Sequence, residues 1–271
     1  SYIGTSLEKW LGKYPDKYYV DTVSTRDDAW KKKDFSEFDV VFHVAGIAHI
    51  KETKENQDLY YKVNRDLAFE AAEKAKAGGV KQFVFLSSMS VYGIEKGVID
   101  ENTPLNPQSN YGKSKLQAEE LIKPLKDNSF KIAILRPPMI YGKGCKGNYP
   151  RLAKLALKTP IFPDVDNKRS MIYIDNLCEF VRLIIDGCSS GMFFPQNSEY
   201  VNTSEMVKLI AEAHGKKIRL TKLFNPLLIL LKISTVNKVF GDLVYEMKLS
   251  KIQSYRLIDF DTTIMLTEKE C

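Results

Sequence analysis

Short apolar runs alternate along the chain with longer segments in which apolar residues recur every three or four positions. Runs of this kind are typical of buried strands, and they lie at 18–23, 39–46, 83–86 and 131–136. Segments with helical spacing lie at 60–77 and 116–122, and the glycines that follow position 77 are a helix stop signal. Strands that alternate with helices predict an α/β fold with a doubly wound parallel sheet.

Polar side chains that could do chemistry cluster around the strand at 83–86. Hydroxyl groups follow this strand directly, at Ser87, Ser88 and Ser90. Tyr111 and Lys115 come next, and because they are four residues apart they share one face of a helix. A phenol and an ammonium near a strand-end hydroxyl suit the removal of a proton from a secondary alcohol while a hydride leaves its carbon.

The tyrosine needs help to act as a base near neutral pH. An unperturbed phenol titrates near pH ~10, so its ionisation near pH 7 needs a shift of about three units, or roughly 4 kcal/mol. An adjacent Lys115 ammonium is expected to supply part of that shift by lowering the pKa of Tyr111. A Tyr-x-x-x-Lys pair alone is also common on solvated helix faces, so the pair needs its surrounding motif to carry this interpretation.

That motif is present. The segments LSSMSVYG at 86–93 and NPQSNYGKSKLQAEE at 106–120 closely resemble those of the extended short-chain dehydrogenase/reductases, the NAD-dependent sugar-nucleotide epimerase/dehydratase family. The resemblance implies Tyr111 as the general base, Lys115 as its tuner and as an anchor for cofactor ribose hydroxyls, and Ser88 as a partner of the substrate oxygen. It also implies a Rossmann-like dinucleotide-binding domain over 1–144 with 169–190, and a smaller α/β substrate lobe over 145–168 with 191–271.

The resemblance further implies a dinucleotide cofactor, NAD. NADP stays open, because Arg26 is followed by two aspartates at the strand end where the adenosine ribose lies. Asn64 matches an asparagine that supports the active-site backbone in the family, whereas His43 is more consistent with a core histidine than with a ligand. Besides Ser87, Tyr111 and Lys115, the implied cofactor residues are Tyr2, Ile3, Gly4, Arg26, Asp34, Phe35, Ala45, Gly46, Asn64, Pro138 and Met139.

The start of the chain departs from the family pattern. Gly4 in SYIGTSLEKW resembles the last glycine of a phosphate-binding loop, followed by a helix whose N-terminus faces a pyrophosphate. The hydrophobic strand and the two earlier glycines of the family do not precede it in this sequence. We therefore expect this sequence to be an N-terminally incomplete version of a longer protein, and cofactor binding by this form to be impaired.

The residues after Ser88 indicate the reaction. Dehydratases of the family carry an Asp-Glu pair there, whereas this chain has Met89 and Ser90, as the 4-epimerases have small uncharged residues. The resemblance thus implies an NAD-dependent UDP-hexose 4-epimerase that works through a transient 4-keto sugar, in the synthesis of cell-surface polysaccharide precursors. The substrate would be a UDP-sugar or a related diphosphate-linked sugar, and its implied contacts are Ser88, Met89, Ser90, Asn148 and Arg169, whose guanidinium suits phosphates.

Three other functions stay open: an NADP-dependent 4-keto-sugar reductase, a polyprenyl-diphosphate-sugar 4-epimerase, and a non-catalytic protein that kept the fold. The apolar stretch at 224–244 is expected to form a helical hairpin on the substrate lobe, with an apolar surface that works near a membrane as the alternative. The resemblance also implies a homodimer, formed through a helix bundle that includes the helix of Tyr111.

Composition narrows the class of protein and of ligand. Lys and Arg outnumber Asp and Glu by 40 to 34, and the scattered excess favours an anionic ligand such as a sugar nucleotide over nucleic acid. The four cysteines form no CxxC pair and no ligand-like spacing with the three histidines, which disfavours a metal site or a disulfide framework and fits a reducing cytosol. The longest apolar run, at 227–233, is too short to span a bilayer. The four cysteines are Cys145, Cys178, Cys188 and Cys271, and the three histidines are His43, His49 and His214.

Overall fold

The computed structural model describes residues 1–48, 50, 52–226, 237 and 239–269. The chain divides into two compact units, each of which has its own strands and helices. The first unit comprises Ser1–Gly93, Pro104–Pro137 and Cys178–Pro195, and the second comprises Ile94–Thr103, Pro138–Leu177 and Gln196–Cys271.

The regular elements are numbered here in chain order. The α-helices of the described residues are α1 (Tyr2–Leu11), α2 (Gln57–Tyr61), α3 (Leu67–Ala77), α4 (Asn110–Ile122), α5 (Asn148–Lys158), α6 (Ile174–Asp186), α7 (Thr203–Ala213) and α8 (Phe260–Glu268). The strands are β1 (Val40–His43), β2 (Gln82–Leu86), β3 (Gly97–Ile99), β4 (Lys131–Leu135), β5 (Met139–Tyr141), β6 (Ile161–Pro163), β7 (Met171–Tyr173), β8 (Gly191–Phe193), β9 (Arg219–Thr221) and β10 (Leu243–Tyr245).

Four parallel strands form the sheet of the first unit, in the order β1, β2, β4, β8. Strand β2 pairs on one side with β1, with Phe42 opposite Val84, and on the other side with β4, with Phe85 opposite Ile134. Every residue of β2 is buried. A parallel strand covered on both faces needs a continuous apolar run, which is why the sequence at 83–86 does not alternate with polar residues. The predicted α/β fold with a parallel sheet is confirmed.

Helices α3 and α4 cover one face of this sheet. Small alanine side chains of α3, at 68, 71, 72 and 75, let its backbone approach the sheet, where they belong to the same core cluster as Phe83 and Phe85. From α4, Ala118 and Ile122 join this cluster, and neither is exposed. The core of the first unit therefore lies directly beneath the helix that carries Tyr111 and Lys115.

The predicted helix at 60–77 is longer and less regular than expected. It begins at α2, continues through a π-helical segment at Lys62–Asp66, and ends with α3. Its end is as predicted, because Gly78 caps α3 and Gly79 has a φ of 77°, a conformation that favours glycine. Helix α7 is capped by Asn202, whose side chain accepts the hydrogen bond from Glu205 N.

The predicted strand at 18–23 is wrong. This segment has no regular secondary structure, and Tyr19 is 82% exposed. Among the residues that the structure describes, the sheet ends at β1, and no strand lies beside 18–23 to pair with it. An apolar, β-branched sequence forms a strand only where a neighbour satisfies its backbone hydrogen bonds, so the local pattern was not sufficient here.

The described residues of the second unit form three two-stranded parallel sheets: β3 with β10, β5 with β7, and β6 with β9. The side chain of Tyr141 on β5 lies in its core, where the hydroxyl contacts Thr263 Oγ1 at 2.7 Å and accepts from Asn197 Nδ2 at 3.0 Å. Its ring stacks on Tyr149 of α5. A buried tyrosine with both polar partners satisfied fixes α5 and α8 to the strand pair β5 and β7.

These strand pairings divide the chain at positions other than the predicted domain boundaries. Residues 94–103 belong to the second unit because β3 pairs with β10. The segment from Pro138 belongs there because β5 pairs with β7, whereas β8 extends the sheet of the first unit through its pairing with β4. Sequence spacing could not locate these divisions, because each depends on a pairing between distant segments.

Most of the expected helical hairpin at 224–244 lies outside the described residues. Its last two residues, Leu243 and Val244, belong to β10 instead. Across the part of the chain that the structure describes, no helix is both long enough and apolar enough to cross a membrane.

Candidate active site

Helix α4 positions the predicted catalytic pair. Its first turn is capped by Ser109, whose hydroxyl accepts from Gly112 N at 3.1 Å. Tyr111 lies in that first turn and is half-buried, and Lys115 lies one turn further along and is only 4% exposed. The prediction that both residues lie on one helix face is therefore confirmed, and that face is directed into the first unit.

The phenol of Tyr111 meets the hydroxyl predicted to act with it. Ser88 is the second residue after β2, and its side chain interacts with the phenol of Tyr111. The Ser88 hydroxyl also donates to Ser90 Oγ at 3.2 Å, so three hydroxyl groups lie together at the carboxyl end of β2. Such a cluster can pass a proton between oxygen atoms and can orient an incoming hydroxyl group.

The pKa of Tyr111 is shifted in the direction opposite to the one expected from the sequence. Burial raises the pKa of the phenol, and the hydrogen bond from Ser88 opposes that shift without reversing it. The expected lowering by Lys115 is wrong for these side chains, because the Lys115 ammonium donates to a backbone carbonyl, Leu86 O, at 2.8 Å. At neutral pH the phenol is thus protonated and ready to act as an acid.

Lys115 is a buried cation with two contacts from β2. Its Nζ donates to Leu86 O and lies 4.7 Å from the ring centre of Phe85, over the ring face. Burial lowers the pKa of Lys115 to about 8, and the nearby carboxylate of Glu119 opposes this shift. The ammonium is therefore charged at neutral pH but close to its titration point.

The loop after β1 is held against α4 by Asn64. The Asn64 side chain accepts from Ile47 N at 2.9 Å, and it donates to Ile47 O at 3.0 Å and to Ser114 Oγ at 3.1 Å. Asn64 is fully buried and lies in the π-helical segment, a distortion that is frequent at functional sites. Its position agrees with the supporting role that the sequence indicated.

Gly46, in the same loop, leaves space beside the lysine. A Cβ atom at this position would lie 3.0 Å from Asn64 Oδ1 and 3.4 Å from Lys115 Nζ. A larger residue would fill the surface next to the ammonium. The glycine therefore keeps open an approach to Lys115 from the loop that follows β1.

A second glycine fixes the distance between α4 and the strand-end hydroxyls. A Cβ atom at Gly112 would lie 2.6 Å from Ser90 O, closer than side-chain carbons are found. Ser90 lies in a 3₁₀ helix at Met89–Tyr92, which follows Ser88. Only glycine allows this approach, so the residue after Tyr111 helps to bring Tyr111 to Ser88.

Beneath these groups lies a buried ion pair that the sequence analysis missed. Glu119 is not exposed, and its carboxylate accepts from Arg136 at 3.0 and 2.5 Å and from Ser87 Oγ at 2.5 Å. Arg136 also donates to Tyr92 Oη at 3.0 Å. The signal was present in the sequence, because Glu119 lies four residues after Lys115 and therefore on the same face of α4. Because the Ser87 hydroxyl donates to the Glu119 carboxylate, Ser87 stabilises this buried ion pair.

A second missed residue, Glu52, lies at the start of α4. Its carboxylate accepts from the backbone N–H groups of Asn110 and Tyr111, each at 3.2 Å. A carboxylate at a helix N-terminus satisfies unpaired amide groups and interacts favourably with the helix dipole. Nothing in the sequence spacing indicated this contact, because it joins residues that are distant along the chain.

His43 is a core residue, as predicted, but its polar atoms are not all satisfied. Its ring packs on Phe83 and Phe85, and Nε2 has no hydrogen-bond partner in the structure. Burial, and then the charge of Lys115, lower the pKa of His43 to about 3. The imidazole is therefore neutral at physiological pH and adds no second positive charge beside the lysine.

The other predicted cofactor residues of the first unit lie in several places. Tyr2, Ile3 and Gly4 form the first turn of α1, where Gly4 N donates to the capping hydroxyl of Ser1 at 3.1 Å. Phe35 is in the core cluster, with the Lys74 ammonium 4.9 Å from its ring centre. The remaining positions are Arg26 and Asp34, which are exposed, and Ala45, which is half-buried beside Gly46.

Four predicted site residues belong to the second unit. Pro138 and Met139 lie at the start of β5, and Asn148 is the exposed first residue of α5. Arg169 donates from Nη1 to Gly241 O at 2.8 Å, and burial lowers its pKa while the charge of Asp242 opposes this shift. Within this unit the guanidinium is therefore anchored to a backbone carbonyl.

The buried ion pair predicts a large loss of stability on substitution. Glu119→Gln would leave the buried Arg136 guanidinium without its counter-charge, and removal of one partner of such a pair costs about 3–5 kcal/mol. Urea unfolding monitored by circular dichroism would measure this loss. Glu120→Gln, at the exposed neighbouring position, is the control and should change the free energy of unfolding by less than about 0.5 kcal/mol. Equal effects of the two substitutions would contradict the assigned role of Glu119.

The lowered pKa of Lys115 predicts a pH-dependent stability. Between pH 8 and about 10.5 the unfolded chain binds a proton at this residue that the folded chain has lost, so this contribution to stability rises with pH. The free energy of unfolding of the wild type, relative to Lys115→Met, is expected to increase by up to about 3 kcal/mol over this range. Denaturant titrations from pH 7 to 10.5 would measure it, with Lys113→Met, at an exposed position, as the matched control. A gap between wild type and Lys115→Met that does not change with pH would show that Lys115 titrates normally.

The chain is similar in sequence to a known family and to curated proteins. A family model described as the NAD dependent epimerase/dehydratase family matches residues 12–192. A UDP-glucose 4-epimerase from Vibrio cholerae is 34% identical over 192 residues, which is 65% of this chain and 57% of that protein. The N-acetyl-alpha-D-glucosaminyl-diphospho-ditrans,octacis-undecaprenol 4-epimerase of Escherichia coli O157:H7 is 30% identical over 212 residues, 76% of this chain and 63% of that protein. The chain thus spans about three fifths of the length of these curated relatives.

Solved structures show the same fold at lower sequence identity. A UDP-glucuronic acid 4-epimerase from Bacillus cereus in complex with NAD has a TM-score of 0.70 and 20% identity, and the match covers 97% of this chain and 84% of that one. The UDP-Glc/GlcNAc 4-epimerase from Campylobacter jejuni has a TM-score of 0.73 and 19% identity, covering 99% and 95%. Because the family model covers more than half of the sequence and includes both the Ser88 and the Tyr111 motifs, the chain belongs to the NAD-dependent epimerase/dehydratase family.

Proposed function

We propose that the protein is a 4-epimerase of a nucleotide-linked hexose, in particular a UDP-hexose, and that it uses NAD. The observation that carries the proposal is the interaction of the Ser88 side chain with the phenol of Tyr111, which lies on a helix that also buries the Lys115 ammonium one turn away. Both curated relatives named above are 4-epimerases, which supports the same reaction at these residues.

The residues around Lys115 fit one end of a dinucleotide. Gly46 leaves space beside the ammonium, and Lys115 could hold ribose hydroxyls there while Tyr111 faces the substrate. At the other end, Gly4 in the first turn of α1 would let a pyrophosphate approach a helix N-terminus. NAD, when bound, supplies the acceptor for the substrate's hydride and later returns it. We propose Ala45, Pro138 and Met139 as further contacts to this cofactor.

Tyr111 and Ser88 would move the proton. The sugar 4-hydroxyl would bind between the two side-chain oxygens, with Ser88 fixing its orientation and Tyr111 taking its proton and giving it back after the sugar has turned. The raised pKa of Tyr111 suits the half-reaction in which the phenol donates. For the half-reaction in which it accepts, the Ser88 side chain is the group that favours ionisation of the phenol, because its interaction lowers the pKa of Tyr111 against the effect of burial.

The residues after Ser88 support epimerisation rather than dehydration. Elimination of water needs an acid and a base beside the ring, and the 3₁₀ helix that follows Ser88 begins with Met89 and Ser90. Neither side chain can act as a carboxylic acid. A pocket that holds the hexose through few polar groups would also allow it to rotate, provided that the diphosphate is held firmly. We propose Asn148 and Arg169 for that contact.

Several wider features belong to the same proposal. We propose a cytoplasmic enzyme that supplies precursors for cell-surface polysaccharides and works as a homodimer through a bundle that includes α4. Leu59 on α2 and Leu121 on α4 are about two-fifths exposed, which supports contact through this side of the first unit. The similarity to the Escherichia coli relative supports a polyprenyl-diphosphate sugar as a second candidate substrate.

Replacement of Tyr111 tests the assigned chemistry. Tyr111→Phe removes the proton-transferring oxygen, and its kcat is expected to fall by about 10²–10⁴-fold. Urea unfolding should show a stability close to that of the wild type, because only one half-buried hydroxyl is lost. Tyr19→Phe, at an exposed position, is the control and should keep full activity. Near-normal turnover of Tyr111→Phe would rule out its role as the acid and base.

A panel of substrates tests the reaction itself. The full-length protein would be incubated with NAD and with UDP-glucose, UDP-N-acetylglucosamine, UDP-glucuronic acid or a polyprenyl-diphosphate sugar, and the products would be resolved by stereochemistry. A 4-epimerase interconverts each pair of sugars with no net change in absorbance from the reduced cofactor. Stoichiometric oxidation of NADPH with a 4-keto sugar would identify a reductase instead. Whichever conversion the wild type catalyses should be strongly reduced in the Tyr111→Phe variant.

A further inference from the structure

We propose that Phe85 is a positioning residue of the active site. The face of its ring contacts the Lys115 ammonium at the carboxyl end of β2 and favours the charged form of the lysine. This inference rests on the proposed role of Lys115 in the reaction. It concerns a residue of β2 that belongs to no motif of the sequence analysis and that acts through Lys115.

The contact between Phe85 and Lys115 has the geometry of a cation–π interaction. Lys115 Nζ lies 4.7 Å from the centre of the Phe85 ring, within the range of about 6 Å over which the ring quadrupole attracts a cation. Phe85 is not exposed, and Lys115 is 4% exposed. Because both groups are removed from water, the attraction is stronger than at a surface site.

Phe85 and Leu86 bind the ammonium from successive positions of β2. The Leu86 carbonyl accepts one N–H of Lys115 at 2.8 Å, while the ring of Phe85 faces the same nitrogen. The hydrogen bond fixes the direction of one N–H group, and the ring limits movement of the ammonium in a second direction. The two contacts together define where the ammonium lies relative to Ser88, which follows Leu86 by two residues.

The other groups that face Lys115 are already bound or uncharged. On α4 these are Tyr111, hydrogen-bonded to Ser88, and Glu119, which is paired with Arg136 of the segment after β4. From β1 comes His43, which is neutral because burial and the lysine charge lower its pKa to about 3. From the π-helical segment comes the uncharged amide of Asn64.

Glu119 therefore favours the charged lysine only in part, since its carboxylate also neutralises Arg136. The ring of Phe85 provides the attraction that does not compete with another cation. Without that ring, the ammonium would keep its hydrogen bond to Leu86 O but would lie against an aliphatic surface.

Phe83 provides a matched control for Phe85. Both residues lie on β2, both point to the same face of the sheet, and neither is exposed. The two rings lie at 5.9 and 6.1 Å from the His43 ring, for Phe83 and Phe85 respectively. They differ in their remaining contacts, because Phe83 packs on the ring of Phe130, whereas Phe85 carries the ammonium.

The test is the titration of Lys115 in the full chain. The Cε and Nζ signals of isotope-labelled lysine, assigned by their loss in Lys115→Met, would be followed by NMR from pH 6 to 11 in the wild type, Phe83→Leu and Phe85→Leu. The Phe85→Leu variant is expected to titrate about 0.4–1.5 pH units lower than the wild type, since the charged form loses its aromatic partner. Phe83→Leu is expected to titrate as the wild type does.

The same variants give a kinetic readout. The basic limb of the pH profile of kcat/KM should move to lower pH in Phe85→Leu by the amount that the NMR titration shows, and it should stay in place in Phe83→Leu. Should Phe85→Leu fail to fold, Phe85→Met replaces it, because the unbranched methionine side chain adapts better to an irregular core cavity. An equal titration midpoint in the Phe83 and Phe85 variants would overturn the inference.

The two proposals fail in different ways. The NMR titration needs neither substrate nor cofactor, so it reports on Phe85 even if the wild type lacks epimerase activity with every substrate of the panel. Absence of that activity would overturn the proposed function alone. A shifted titration together with an unmoved pH profile would show that Phe85 sets the charge of Lys115 but that this charge does not limit the reaction, which overturns the positioning role.

Discussion

The attachment of α4 to the carboxyl end of β2 is the constraint on which the candidate site depends. Two charged side chains of this helix are buried against the strand, the ammonium of Lys115 on Leu86 O and the carboxylate of Glu119 on Ser87 Oγ. Each would be costly to bury without its partner. Because the two partners are successive residues, Leu86 at the end of β2 and Ser87 directly after it, the helix can occupy one position along the strand, and Tyr111 is brought to Ser88 as a result.

The small residues around this attachment serve the same end. Gly112 removes the side chain that would hold α4 away from Ser90, and Gly46 leaves the lysine accessible from the loop after β1. Asn64 then ties that loop to α4 through Ser114. The polar groups and the glycines thus have complementary tasks: the first set fixes positions within the first unit, and the second set allows backbone segments to approach.

Local patterns were sufficient where local physics decides the outcome. The buried run at 83–86 became β2, the four-residue spacing placed Tyr111 and Lys115 on one face, and the glycines after Ala77 ended α3. These features depend on periodicity and backbone conformation, which neighbouring residues determine. The family resemblance, which rests on two short motifs, is confirmed by the family model.

Features that depend on distant segments could not be predicted. The segment at 18–23 has a strand-like sequence, but no strand of the described residues pairs with it. Strand β3 joins the second unit through a pairing with β10. The direction of the pKa shift of Tyr111 depends on how deeply the phenol is buried, which no spacing reveals. The contact of Glu52 with the start of α4 also joins remote parts of the chain.

The arrangement of α4 also limits how its gene segment can vary. Positions 111, 115 and 119 repeat every four residues, so the phenol, the ammonium and the carboxylate stand in a row that advances about 1.5 Å per residue along the axis. A single inserted residue would rotate everything beyond it by about 100° and turn the carboxylate away from its arginine. The length of α4 between these three positions is therefore fixed, whereas a substitution at an exposed position such as 113 or 120 leaves the row intact.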